Sequence, residues 1–327
     1  MFYEINDTRY NFGYQMGQIY ATRVKDTIEA DKKDVVRLGM SWEKLQNDIK
    51  EYIKISKQFL PEVFQEVLGF SEGAKVKLED VFIDLTEELF DTPSATKCSE
   101  IVVGTENIYI GHNNDVSPEM KADLTFMRYT NEKRQSVYIA GFWGIFPGVG
   151  FNTNFYLGGN QLLQNDVKPG IPRGLIARGI LDCENIDNAK IMSLESQRAS
   201  SYNNVIVSKH QVVLIEASAT KSEFIEYTGR YAHTNHYLCP LLKQFEASKE
   251  VVLSEARLKR IQHLLTESPT VDMNRVKTIL ADHNSNQAVC RHEADTQTVF
   301  SLVGDIENWK FEVCIGNPCS NKFISWK

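Results

Sequence analysis

KCSEIVVGTENIYIGHNND, from Lys97 to Asp115, is the stretch on which the reading of this chain turns. A long, helix-patterned leader stops at Pro93-Ser94-Ala95-Thr96, and a single cysteine then precedes two short apolar runs. Ile101-Val102-Val103-Gly104 and Asn107-Ile108-Tyr109-Ile110-Gly111, joined by Thr105-Glu106, predict a β-hairpin. Such a hairpin folds the chain back on itself, so Asn113, Asn114 and Asp115 are expected beside Cys98. A thiol at a strand start, faced by amides and a carboxylate, suits attack on a carbonyl.

The thiol needs a base, because a free cysteine is only a few per cent thiolate at neutral pH. Cutting the Lys97–Cys98 peptide bond would supply one: an α-amine with a pKa of roughly 7.7–8.0. Nucleophile and base would then belong to one residue, as in the N-terminal threonine variants of the catalytic triad. The thiol itself can make the cut by attacking the Lys97 carbonyl. The plainer alternative is a buried, inert cysteine.

Composition narrows the classes. The 327 residues are 42% hydrophobic, enough for a sizeable core, and the net charge of −7 comes without any block of Lys or Arg. Nucleic acid is therefore excluded as the expected partner. The start, MFYEINDTRYNFG, has neither a basic n-region nor an apolar h-region, and no run of eighteen apolar residues exists. Neither a secretory signal nor a membrane span is expected. Six scattered cysteines (98, 183, 239, 290, 314, 319) suit reduced thiols, so the expected compartment is the cytoplasm.

Residues 1–97 carry a helical pattern and no Cys or His. Gly13–Val36 keeps a three-to-four spacing of apolar residues. Ser41 is placed to cap a helix from Trp42 to Leu60, Pro61 to open the next, and Leu78–Phe90 continues the pattern. Past Cys98 the pattern changes to strands: Leu124–Tyr129 and Ser136–Phe142 around a turn at 131–134, then Phe155–Leu163. The helices Pro172–Cys183 and Asp187–Glu195 lead to strands at Asn204–Ser208, Gln211–Ala217 and Glu223–Tyr227. Helices at Leu241–Ala247, Ser254–Leu265 and Met273–Asp282 precede closing strands at Ala288–His292, Thr298–Val303 and Lys310–Gly316. Meandering strands with helices in consecutive pairs predict two packed sheets covered by helices, an α+β class, rather than alternating βαβ units.

Other constellations carry less. His233-Thr234-Asn235-His236 sets two imidazoles three residues apart, but a zinc site wants more ligands, and neither HExxH nor paired CxxC is present. No metal and no cofactor are expected. Cys314 and Cys319 flank Gly316-Asn317-Pro318 and read as a reduced structural pair. Gly144, Gly148 and Gly150 match neither a Walker loop nor a dinucleotide fingerprint. A papain-like pairing of Cys98 with His233, His236, His283 or His292 lacks the CGxCW signature.

Taken in order, several motifs resemble the acyl-coenzyme A:6-aminopenicillanic acid acyltransferase (isopenicillin N acyltransferase) family of N-terminal-nucleophile hydrolases. The resemblance runs from Gly13 and Gly17 through Cys98 to Gly111-His112-Asn113-Asn114-Asp115, similar to that family's Gly-x-Asn-x-Asp. Gly150-Phe151-Asn152, Gly159-Asn160-Gln161-Leu162 and Pro169-Gly170-Ile171-Pro172-Arg173 follow. His233-Thr234-Asn235-His236, Cys290-Arg291-His292 and Gly316-Asn317-Pro318-Cys319 complete it. Lys97 departs from the Gly often found before the nucleophile, and Asn114 from an aromatic.

The resemblance implies a four-layer αββα sandwich, a helical prosegment or small subunit at 1–97, and a catalytic domain at 98–327 that begins at the nucleophile. It implies self-cleavage before Cys98 and a thioester acyl-enzyme formed on a small N-acyl or peptide-like amide. Cys98 would be nucleophile and base, and Asp115 would hold the amine. Asn235 and Asn160 would serve as oxyanion donors, and Arg291 would hold the thiolate or a substrate anion. Acyl-coenzyme A enters only as a co-substrate. The two cleavage products would stay associated, and a homo-oligomer is left open. An uncleaved, catalytically silent relative that binds a ligand or partner in the same cleft is the alternative. A Cys–His enzyme that works without cleavage is a third.

Overall fold

The computed structural model describes residues 1–86, 89, 97–195, 197–247, 251–267, 270–283 and 288–327, with Lys97 described by its backbone alone. In chain order it runs β1 (Phe2–Asn6), α1 (Arg9–Arg37), α2 (Trp42–Phe59), α3 (Pro61–Ala74), α4 (Leu78–Leu85), β2 (Lys97–Val103) and β3 (Tyr109–Val116). Next come β4 (Leu124–Thr130), β5 (Ser136–Phe142), β6 (Phe146–Phe151), β7 (Tyr156–Asn160), α5 (Arg173–Leu181) and α6 (Ile186–Ser193). Strands β8 (Tyr202–Val207), β9 (Val212–Ala217), β10 (Ser222–Ile225) and β11 (Arg230–His233) lead to α7 (Val251–Thr266) and α8 (Met273–Leu280). The chain closes on β12 (Gln297–Asp305), β13 (Lys310–Ile315) and β14 (Phe323–Ser325). The class is α+β. Among the described residues no helix is long and apolar enough to cross a membrane.

The chain forms two compact units, one of residues 1–91, 123–157 and 166–200, the other of 92–122, 158–165 and 201–327. In the first, β1 runs parallel to β4, and β4, β5, β6 and β7 form an antiparallel meander. Thr8 caps α1 through Asn11 N, and Ser41 caps α2 through Lys44 N, as its position predicts. Phe12 of α1 stacks on Tyr129 of β4 with ring centroids 4.1 Å apart. The leader glycines have a steric cause. A Cβ on Gly13 would lie 1.9 Å from the Glu66 carbonyl oxygen, and one on Gly17 2.2 Å from that of Phe70. Helices α1 and α3 therefore cross backbone to backbone.

Under that crossing lies a buried charge network. Glu66 Oε1 accepts from Arg9 Nη1 and Arg178 Nη2, both at 2.7 Å, and Oε2 accepts from Arg178 Nε at 2.9 Å. Asp182 closes the network, 2.7 Å from Arg9 and 2.6 Å from Arg178. Buried charges persist only when paired this fully.

In the second unit an antiparallel sheet has the order β11-β2-β3-β12-β13-β14. Its helix-facing side packs on α7 and α8 through Ile101, Val103, Ile261, Val276, Leu280 and Val303. Gly111 lets α8 settle there, since a Cβ would lie 2.4 Å from Val276 Cγ1. The opposite side meets the β8-β9-β10 meander, with Tyr231 Oη donating to Asn203 Oδ1 at 3.0 Å. Helix on sheet and sheet on sheet make the α+β sandwich.

The hairpin predicted at residues 101–111 is longer than its apolar runs, since β2 and β3 pair from Lys97↔Asp115 to Val103↔Tyr109. Part of the helix expected at Leu78–Phe90 falls outside the described residues, and α4 ends at Leu85. Leu241–Ala247 gives only a 3-10 turn, Lys243–Phe245. Ala288–His292 is not a strand. There Val289 N and Cys290 N both donate to the Asp282 carbonyl, so the segment caps the end of α8 instead of pairing along a sheet.

Candidate active site

Cys98 stands at the start of β2, 6% exposed. The hairpin register sorts its neighbours. Cys98 pairs with Asn114 and Glu100 with His112, so these four side chains share one face of the sheet. Lys97 pairs with Asp115 and Ser99 with Asn113, which puts the odd-numbered residues on the other face. Asn114 Nδ2 lies 4.0 Å from Cys98 Sγ. Asn113, expected beside the thiol, instead ties the sheet to the α8 end, donating to the Leu280 and Val289 carbonyls.

The four-residue motif at 233–236 alternates in the same way. Asn235 faces the nucleophile: its Oδ1 accepts from Cys98 N at 2.9 Å and from Arg257 Nη2 at 2.6 Å. Its Nδ2 donates one N–H to the Gln161 carbonyl at 3.1 Å, and its Oδ1 grips the Cys98 amide. His233 holds Asn160 through Nδ1···Oδ1 (3.0 Å) and Glu216 through Nε2···Oε1 (2.9 Å). Thr234 and His236 turn to Ser254 of α7. Burial and the nearby His233 push His236 down to about 4, so that ring is neutral.

Asn160 Oδ1 is used twice, by His233 and by Asn203 Nδ2 at 3.2 Å, which fixes the orientation of the amide. Its Nδ2 is buried with no partner among the described residues. The preceding Gly159 N donates to Glu100 Oε2 at 3.1 Å, which ties this segment to the Cys98 face of β2. A buried, unused N–H on a segment tied to the Cys98 face of β2 makes Asn160 a candidate oxyanion donor.

Asp115 is buried. Its Oδ1 accepts from Thr298 Oγ1 at 2.6 Å, while Oδ2 has no partner among the described residues. Burial raises its pKa, against the pull of Arg257, Thr298 and Arg291. Arg291 acts through this field and its backbone: its N–H donates to Thr298 Oγ1, and its Nε pairs with Glu293 at 2.8 Å. The arginine that touches the nucleophile residue is Arg257 of α7, with Nη2 3.2 Å from the Cys98 carbonyl oxygen. Burial lowers the pKa of Arg257, and its Nε and Nη1 have no partner among the described residues.

Two of these groups, His112 and Arg257, carry no signal in residue spacing alone. His112 Nδ1 is 2.8 Å from Glu100 Oε2. Its Nε2 makes no aligned hydrogen bond, although the Cys98 sulfur lies close enough to favour the cation. Burial opposes its charge, yet Cys98 and Glu100 together push the pKa up to about 10. The hairpin parity was the signal for His112, since 100 and 112 fall on the face of 98. Arg257 comes from a helix far away in sequence, and no local pattern marks it.

The site sits within a chain whose residues 102–320 match the family model described as acyl-coenzyme A:6-aminopenicillanic acid acyl-transferase. The Emericella nidulans protein described as the 40 kDa form of acyl-coenzyme A:6-aminopenicillanic-acid-acyltransferase is 23% identical over 288 residues, 84% of this chain and 80% of that protein. Among solved structures, a Caenorhabditis elegans ortholog of N-acylethanolamine-hydrolyzing acid amidase has a TM-score of 0.48 at 14% identity, over 65% of this chain and 96% of that one. A mutant conjugated bile acid hydrolase from Clostridium perfringens has a TM-score of 0.44 at 12% identity, over 70% of this chain and 96% of that one. With more than half of its length matched by the family model, the chain belongs to the acyl-coenzyme A:6-aminopenicillanic acid acyl-transferase family.

Proposed function

We propose that this chain is a cysteine amide hydrolase or acyltransferase whose nucleophile, Cys98, is freed by its own attack on the Lys97 carbonyl. In that step the Cys98 sulfur bonds to the Lys97 carbonyl carbon, the thiol proton passes to the departing nitrogen and the C–N bond breaks, leaving a thioester and a free α-amine that takes a further proton from solvent. Water then hydrolyses the thioester and restores the thiol. The mature thiol attacks a substrate amide, its proton passing by way of the α-amine to the leaving amine, and a thioester acyl-enzyme forms. Water or an acceptor amine takes the acyl group. Acyl-coenzyme A would enter only as an acyl donor, and the substrate is a small N-acyl or peptide-like amide.

One observation carries this reading: among the described residues buried Asp115 Oδ2 has no hydrogen-bond partner, and Asp115 stands across the β2–β3 ladder from the Lys97 backbone. A new ammonium on Cys98 answers that vacancy in the hydrogen-bond ledger, and Asn235 Oδ1 already grips the same nitrogen. Asn160 Nδ2 serves the oxyanion, and the His112 imidazolium favours the thiolate. Residues 1–97 and 98–327 remain one body after the cut, because the first unit draws on both sides of the bond. The absence of disulfides among the six cysteines supports a reducing compartment such as the cytoplasm.

The Cys98–His112–Glu100 cluster favours a second reading, in which histidine supports the thiol of an uncut chain. Denaturing intact-mass spectrometry of the wild type beside Cys98→Ala separates the two. Fragments 1–97 and 98–327 from the wild type alone are expected. A single 37.3 kDa species from both would remove the free amine from the mechanism.

A further inference from the structure

Away from Cys98's thiol, three soft or borderline donor atoms converge where the segment after α8 meets the turn after β13. Cys290 Sγ and Cys319 Sγ are 3.7 Å apart. His292 Nε2 lies 3.4 Å from the first and 3.2 Å from the second. Cys290 is buried, Cys319 half-buried and His292 exposed, and they line a cavity of about 400 Å³ that His283 and Glu293 also border. The expected partner of Cys319 was Cys314, but Cys314 Sγ turns to the Gly316 carbonyl instead.

The spacing has a chemical meaning. A tetrahedral Zn²⁺ with Zn–S near 2.3 Å and Zn–N near 2.0–2.1 Å has S···S edges of about 3.8 Å and S···N edges of about 3.5 Å. The triangle of donors matches that face to within about 0.3 Å. A disulfide would need the sulfurs about 2.05 Å apart. We propose that Cys290, Cys319 and His292 form a zinc site, with its fourth position turned to the cavity that His283 borders. The side chains that set the site are themselves supported. Asn317 Nδ2 donates to Cys290 Sγ at 3.5 Å and to the Arg291 carbonyl at 2.6 Å, the kind of outer support that orients metal ligands.

Binding displaces the two thiol protons and joins the 290–292 segment to the 316–319 turn. Arg291, held between two of the ligands, is fixed by that link. From its backbone the path runs through Thr298 Oγ1 to Asp115. The ion braces Arg291 and, through Thr298, Asp115.

Tag-free protein, purified under reducing conditions and analysed for metal by mass spectrometry, tests this directly. Stoichiometric zinc is expected in the wild type and in Cys98→Ala, with loss in Cys290→Ser and Cys319→Ser. Replacement by Co²⁺ should give intense tetrahedral bands and a thiolate-to-cobalt charge-transfer band. If the serine variants fail to fold, Zn²⁺ competition against a chromogenic chelator on wild-type protein still decides the matter. Wild-type protein that retains no zinc, and that gives no thiolate–cobalt band on addition of Co²⁺, overturns the proposal. So does a cobalt spectrum that survives in both serine variants.

Discussion

The His112 ring makes a quantitative demand on the pH dependence of stability. In the unfolded chain a histidine titrates near 6.5, and in the fold Cys98 and Glu100 hold this one up to about 10. At about 1.4 kcal/mol per pH unit, that gap is worth on the order of 5 kcal/mol to the folded state. The contribution is complete below pH 6.5, where both states carry the proton. It is lost as the pH rises towards 10, because the unfolded chain then deprotonates first. In His112→Gln the amide can still donate to Glu100 but does not titrate. Urea unfolding of wild type and variant at pH 6.5 and pH 9 should show the wild-type advantage shrinking by roughly 3 kcal/mol, while other groups cancel in the difference. Parallel stability curves would mean a ring that stays neutral in the fold. The electrostatic support for the Cys98 thiolate would fall with it.

Two further changes test separate links. Asn160→Ala removes the buried, unused Nδ2 donor and should lower kcat about 10²- to 10³-fold with little change in KM. A loss below tenfold in steady-state assays with a turned-over amide would remove Asn160 from the oxyanion site. Glu66→Gln leaves Arg9 and Arg178 facing an uncharged amide in a buried network and should destabilise the first unit by about 3–5 kcal/mol. A midpoint shift equivalent to under 1 kcal/mol in denaturant unfolding would show that the arginines find other partners.

Much of the fold is written in local signals, and the failures have physical causes. Ser41, Pro61 and the apolar spacing of 42–59 fix α2 and the start of α3 because a cap and an N1 proline act within one turn. Ser136–Phe142 is a strand with the bounds its apolar run predicts. Strand β6 is harder to see, since Phe146-Pro147-Gly148-Val149-Gly150-Phe151 reads as turn material. Gly141 and Gly150 show why the pattern is tolerated. A Cβ on Gly141 would meet the Phe146 carbonyl at 1.8 Å, so glycine here allows the close approach where the β5–β6 register shifts. Strand β1 is invisible for another reason: its five residues alternate between exposed and half-buried and gain their place only by parallel pairing with β4, more than a hundred residues away. Ala288–His292 looks like a strand by composition, but its amides are taken by the last carbonyl after α8.

The site was legible as a list of residues and illegible as a geometry, and the hairpin register explains the difference. Cys98 and Asn114 are numbered alike in parity and pair, so Asn114 shares the thiol's face; Asn113 and Asp115 go to the other. Asp115 therefore acts on the strand's backbone start, beside Lys97, and not on the sulfur. That placement suits a group that binds an amine. The same parity brings in His112, which stands inside the Gly111–Asp115 motif but is silent until the register is known. It also brings in Glu100, which holds both the His112 ring and the N–H of Gly159, the residue before Asn160. A carboxylate two residues along the strand from a nucleophile reads as a solvent-side charge when the strand is taken alone. Buried between two partners it ties the His112 ring to the segment that carries Asn160. Arg257 could be found only from the fold, because α7 must pack on the sheet before its guanidinium reaches the Cys98 carbonyl.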